Sequence, residues 1–147
     1  HKYLFLTKNP KAYSKVFYRS QLDYRHNFWL GTTATDDKSF NEKGFELFKF
    51  TGADQKRHAN RFLSVEPLLG EISDTVLRNT QFIDWVIIGA ETGNRKDKVI
   101  PKREWIENIV WECKQYNIPV FMKNSLKEIM SSDFIQEWPE SLKQTAR

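Results

Sequence analysis

The sequence predicts an α/β protein built from parallel βα units. Three observations carry that expectation. Five short runs are almost continuous in apolar residues, helical stretches separate them, and polar residues close each run. Strands buried on both faces read as unbroken apolar runs, whereas strands with one wet face alternate. Strand and helix in strict succession then define βαβ units and a parallel sheet.

The first run is Tyr3-Leu-Phe-Leu-Thr7. Asn9-Pro10 follows it and starts a helix over Lys11 to Leu22, because proline's fixed φ suits a first helical turn. Phe28-Trp-Leu-Gly-Thr-Thr33 is the second run. A helix is expected from Phe40 to Phe50, with Phe45, Leu47 and Phe48 as its apolar side, while residues 53–60 are polar and ambiguous. The third run, Arg61-Phe-Leu-Ser-Val-Glu66, leads through Gly70 to a short helix over Ile72 to Arg78. Asp84-Trp-Val-Ile-Ile-Gly89 is the fourth. The clearest helix spans Pro101 to Tyr116, where Trp105, Ile106, Ile109, Val110 and Cys113 recur at intervals of three and four and form one stripe. Pro119-Val-Phe-Met-Lys123 is the fifth run. The tail from Ser131 to Arg147 is anchored by Trp138-Pro139, then turns polar; it is expected to pack over one end and fray. Five such units suit an open doubly wound sheet or part of a (β/α) barrel.

Composition narrows the class. A chain of 147 residues suits one domain, and 39% apolar with 29% charged residues suits a folded, soluble one. No apolar run approaches the 20 residues or so of a membrane span, and a cytoplasmic location is expected. Cys113 is the sole cysteine, so no internal disulfide forms, and one thiol cannot build a zinc or iron–sulfur site. Its place on the buried stripe makes it a small core residue. Formal net charge is +4 and spread along the chain. The densest basic stretch, Asn94-Arg-Lys-Asp-Lys98 with Lys102 and Arg103, is interrupted by Asp97 and is a weak candidate for nucleic acid. The chain enters its first strand-like run at once, with no methionine and no signal pattern, as a piece of a longer protein would.

The strand ends hold the candidate site. They read Thr7-Lys8-Asn9, Thr32-Thr33 with Thr35 beyond, Ser64 and Glu66, Glu91-Thr92, and Lys123-Asn124. In parallel α/β folds ligands bind beyond the carboxyl ends of the strands. Side chains alternate along a strand, so Ser64 shares a face with Glu66, Gly89 with Glu91, and Thr33 and Thr35 with Trp29 and Gly31. Thr7, Lys8, Thr33, Ser64, Glu66, Glu91, Thr92 and Lys123 are the candidate binding residues, and no catalytic residue or metal ligand is assigned. Glu66 and Glu91 serve equally well as structural partners for a rim lysine such as Lys123, or as an acid–base pair if both reach one substrate. No Walker loop, GxGxxG, HExxH or GxSxG is present, and His1, His26 and His58 are scattered.

The succession Leu6-Thr-Lys-Asn-Pro10, Trp29-Leu-Gly31, Phe62-Leu-Ser-Val-Glu-Pro-Leu-Leu-Gly70, Asp84-Trp-Val-Ile-Ile-Gly-Ala-Glu-Thr-Gly93 and Pro119-Val-Phe-Met-Lys-Asn124 resembles a phage-related family of uncharacterised proteins similar to radical S-adenosylmethionine enzymes. The resemblance covers nearly the whole chain, and the Ser64-to-Gly70 block is its most specific part. Thr35, Ala90 and Asn124 stand where relatives often have Glu, Gly and Gln. The resemblance implies that residues 1–130 form the second half of a (β/α) TIM-like barrel and 131–147 a tail. It implies that a missing amino-terminal half of the same protein carries the cysteines of a [4Fe–4S] cluster, and that this chain alone is inactive. S-adenosylmethionine and that cluster are then cofactors of the longer protein, with Thr33, Ser64, Glu66, Glu91 and Lys123 as cofactor or substrate contacts. A non-catalytic module of a phage or mobile element that binds nucleic acid is the alternative. Bare sheet edges would also permit a homodimer.

Overall fold

The computed structural model describes residues 1–17, 27–52 and 59–143, the side chains of 16, 17 and 50–52 excepted. Five strands form one sheet: β1 (Tyr3–Thr7), β2 (Phe28–Ala34), β3 (Asn60–Val65), β4 (Trp85–Ile88) and β5 (Val120–Met122). Their order is β1-β2-β3-β4-β5 and every pairing is parallel. The order never reverses, so the sheet has no point at which successive connections turn to opposite edges, as a doubly wound sheet must. The helices are α1 (Ala12–Phe17), α2 (Asp37–Gly52), α3 (Asp74–Leu77), α4 (Arg103–Gln115) and α5 (Lys127–Met130).

Alternation divides the strand residues between two faces. Leu30, Ala34, Leu63, Val65, Val86, Ile88, Val120 and Met122 pack with Tyr13, Phe40, Leu47, Ile106, Ile109 and Cys113 in one buried cluster, which makes this the helix-covered face. On the other face Trp29, Phe62 and Trp85 form a second cluster, flanked by Ile87, Phe121 and Leu142. Burying each large apolar side chain contributes about 1.5–3 kcal/mol, so the helix face holds most of the stabilisation.

Local chemistry sets the helix ends. Asp36 and Ser39 form a reciprocal cap on α2: Asp36 Oδ1 accepts the Ser39 N–H at 2.8 Å, and Ser39 Oγ accepts the Asp36 N–H at 3.1 Å. The bonds from Ser39 hold the Asp36 carboxyl below its ordinary pKa. This cap starts α2 earlier than the expected Phe40. The same helix corrects a second expectation: Phe45 is 54% exposed, because Phe40 and Leu47, seven residues apart, set the buried side of α2. Helix α4 ends in a Schellman turn, with Asn117 at φ 54° and the Ile118 N–H donating to Cys113 O, and this delivers the chain to β5. The expected helix over Lys11 to Leu22 is described only as far as Phe17; its remainder, and residues 53–58, lie outside the described residues.

The two terminal strands differ. The tail runs antiparallel along β5, with Gln136 opposite Phe121, the Met122 N–H donating to Ile135 O and the Glu137 N–H donating to Val120 O. Trp138 then turns under the sheet, 5.1 Å ring to ring from both Trp85 and Phe121. Arg103 of α4 braces the segment before it, donating to the carbonyls of Ile129 and Met130 and pairing with Asp133. β1 has β2 as its one partner among the described strands, and Tyr3, Leu4 and Leu6 are 48%, 47% and 54% exposed. Tyr13 fastens β1 to β2: its hydroxyl lies 2.7 Å from both Phe5 O and Gly31 O, and accepts the Gly31 N–H. Burial pushes the Tyr13 hydroxyl up to about 12, against a smaller opposing effect of its bond to Gly31.

Candidate functional site

The face away from the helices carries the polar residues. Thr33, Ser64 and Ile87 are register neighbours, and Phe121 lies beside Ile87. Two residues nearer the carboxyl ends, alternation brings Glu66, Gly89 and Lys123 into one row. Below the Thr33 row lie Gly31, Phe62 and Trp85. The face is therefore graded: aromatic at the amino ends of the strands, mixed in the middle and charged at the carboxyl ends.

Two glycines make this grading possible. A Cβ on Gly31 would sit 2.2 Å from the Phe62 ring, so only glycine lets that ring lie across β2. A Cβ on Gly89 would sit 2.9 Å from Glu66 Oε1, so glycine lets the Glu66 side chain lean across β4. Glu66 thereby reaches Lys123, its Oε2 2.5 Å from Nζ, with the two side chains 26% and 47% exposed. The Glu66–Pro67 peptide bond is cis. Beyond it the Leu68 N–H donates to Gly89 O and the Leu69 N–H to Thr35 O, which tie the β3 end to both neighbouring strands. Lys123 is fixed in turn by its own N–H, which donates to Ile88 O.

Glu66, Thr92, Phe121, Lys123, Asn124, Ser125 and Gln136 line an open groove of about 450 Å³ at this end. Ser125 Oγ accepts the Ala90 N–H at 3.0 Å. Gln136 Nε2 donates to Met122 O at 2.9 Å. The groove therefore combines an ion pair, the hydroxyls of Thr92 and Ser125 and one aromatic ring, Phe121, which suits a small polar molecule with adjacent charges.

Of the eight residues proposed from sequence, Glu66, Thr92 and Lys123 line this groove, and Ser64 and Thr33 lie on the same sheet face. The other three are elsewhere. Thr7 Oγ1 accepts the Asn9 N–H and shapes the turn after β1. Lys8 lines a different cleft, against α2. Glu91 Oε2 accepts from Arg95 at 3.0 Å and from the Val99 N–H at 3.2 Å, so this carboxylate closes its own loop. Cys113 lies on the helix face; burial above all, with Glu112 and Glu137 nearby, pushes its thiol up to about 12. Among the described residues no three His, Cys, Asp or Glu side chains converge as metal ligands. Sequence reasoning missed Gln136 and Ser125. The serine follows a strand end and was open to the same logic, but the return of the tail to β5 leaves no local signal.

A parallel sheet with its described helices on one face and a polar row at the strand ends on the other defines the class: an α/β protein. The chain belongs to the family described as protein of unknown function (DUF5131), whose model matches residues 1–137. No curated protein and no solved structure matches it. Among the described residues no helix is long and apolar enough to cross a membrane.

Proposed function

We propose that this chain is the later part of a (β/α) barrel-type enzyme resembling the radical S-adenosylmethionine class, and that its strand-end row binds the polar end of that cofactor or of a substrate. The observation that carries this reading is the sheet itself: five consecutive parallel strands, described helices on one face, and the Glu66–Lys123 pair at the carboxyl ends of the other. The terminal strand β1, exposed at Tyr3, Leu4 and Leu6, is where an earlier βα unit of the same protein would extend the sheet.

The residues present fit one cofactor and not the other. An α-amino acid end carries a carboxylate and an ammonium, for which Lys123 and Glu66 are the matching partners once their own pair opens. The hydroxyls of Thr92 and Ser125 line the same groove and suit a ribose, while Thr33 and Ser64 lie one row back on the same face. When bound, S-adenosylmethionine supplies a sulfonium whose carbon–sulfur bond breaks on accepting an electron. Glu66 and Lys123 would orient that molecule, and Phe121, which lines the groove beside them, would help to exclude water from it. A [4Fe–4S] cluster needs several thiolates, and Cys113 is buried on the wrong face and held protonated. The described residues do not fit the cluster, and its ligands would come from elsewhere in the protein.

The test is a titration with S-adenosylmethionine of the complete polypeptide its gene encodes, purified without oxygen, with iron content measured in parallel. Lys123→Met and Glu66→Gln should each weaken binding about ten-fold or more while the iron content stays unchanged. A complete polypeptide that takes up no iron, or variants that bind as tightly as the wild type, would refute the reading.

A further inference from the structure

We infer that a second cleft, between the β1–α1 turn and α2, binds single-stranded nucleic acid. This does not rest on the strand-end reading. The cleft has a volume of about 640 Å³; Lys8 and Lys11 stand on one wall, and Lys43, Phe45 and Lys49 on the other. Glu42 and Glu46 also line it, so the balance of formal charge is four lysines against two glutamates.

The lysines divide into two kinds. Lys43 Nζ donates to Thr33 O at 3.0 Å, and Lys49 pairs with Glu46 at 3.4 Å, so both are part of the wall. Lys8 and Lys11 are exposed, and no described carboxylate lies within ion-pair distance of either. They are the cations of this cleft available to phosphates. On the α2 wall Phe45 presents an aromatic ring that is 54% exposed, with Lys49 Nζ 4.6 Å from its centroid. An exposed ring framed by lysines is the combination that holds unpaired strands, since bases stack on the ring while the cations follow the backbone. A duplex would not offer its bases to that ring.

The densest basic stretch of the sequence is the weaker candidate. Arg95 is held by Glu91, and Arg103 by Glu107 and Asp133, so its two guanidinium groups serve the fold. Lys96, Lys98 and Lys102 of that stretch stay exposed, so what favours the cleft is its exposed ring among lysines and not its charge alone.

The experiment is fluorescence anisotropy of a labelled oligothymidylate of about 12 nucleotides with the full chain, in 50 and 200 mM salt. Neutralising about two phosphates should cost roughly seven-fold in affinity between those salt concentrations. The double variant Lys8→Glu, Lys11→Glu should lose at least ten-fold at 50 mM salt and flatten the salt dependence. Phe45→Ala should lose about ten-fold with the salt slope intact, which separates stacking from charge. All three positions are exposed, and a circular dichroism melt checks that each variant folds. The inference is overturned by absence of binding at 50 mM salt, by binding that these variants leave intact but Lys96→Glu with Lys98→Glu abolishes, or by binding to anionic phospholipid vesicles in place of the oligonucleotide.

Discussion

The two terminal strands of one sheet are finished differently. β5 is only three residues long, yet residues 135–137 run along its outer edge and Trp138 closes beneath it. β1 is longer, at five residues, and carries Tyr3, Leu4 and Leu6 exposed to solvent. Natural edge strands are blunted by charge, proline, bulges or cover, because a bare apolar edge recruits other chains. β5 has such cover; among the described residues no segment pairs with the outer edge of β1. On the reading proposed above, the sheet would continue at β1 and not at β5.

The largest test of that contrast removes the cover. A chain ending after Asp133 loses the Ile135 and Glu137 ladder bonds, the bond from Trp85 Nε1 to Glu137 O, and the Trp138 contact. We expect urea denaturation to show a loss on the order of 4 kcal/mol. An unchanged midpoint would mean that the tail is no part of the fold. Matched lysines come next. Val120→Lys buries a charge on β5 and should cost about 3 kcal/mol or more, whereas Leu4→Lys on β1 should change stability by less than about 0.5 kcal/mol. Equal costs would break the comparison.

Smaller still is the tie that holds β1 to β2. Tyr13→Phe removes the hydroxyl between Phe5 O and Gly31 O and should cost about 1–2 kcal/mol in the same assay. The hydroxyl also sets a pH dependence. With its folded value raised from 10.0 to about 12, the unfolded chain releases the proton first. Its contribution is therefore complete below pH 10.0 and declines as pH rises from there towards about 12; Tyr13→Phe should flatten that decline in a pH series of thermal melts. The slightest expected effect is on Cys113, which should resist iodoacetamide at pH 8 in the folded chain and react only on unfolding.

The five strands were legible because apolar runs bounded by polar and glycine residues are a local signal. The identity of the helix side of α2 was not. Phe40, Phe45, Leu47 and Phe48 are all apolar, and the packing of Phe40 and Leu47 against β2 and β3 decided which ring stayed outside. Glu66 and Glu91 were equivalent in sequence, each a glutamate at a strand end. What separates them is local for one and distant for the other: Arg95 and the Val99 N–H capture Glu91, while Gly89 on the next strand frees the path from Glu66 to Lys123. Gln136 reaches the groove only because the tail returns to β5, a contact no spacing rule anticipates.

Hydrogen exchange at β1 tests the proposed continuation most directly. The backbone amides of Tyr3 to Thr7 should be compared in this chain and in the complete polypeptide its gene encodes. If the sheet continues past β1, the outward-facing amides exchange rapidly here and slow to the level of β2 and β3 in the complete polypeptide, independently of protein concentration. Rapid exchange at β1 in the complete polypeptide, or protection that appears only as concentration rises, would contradict it.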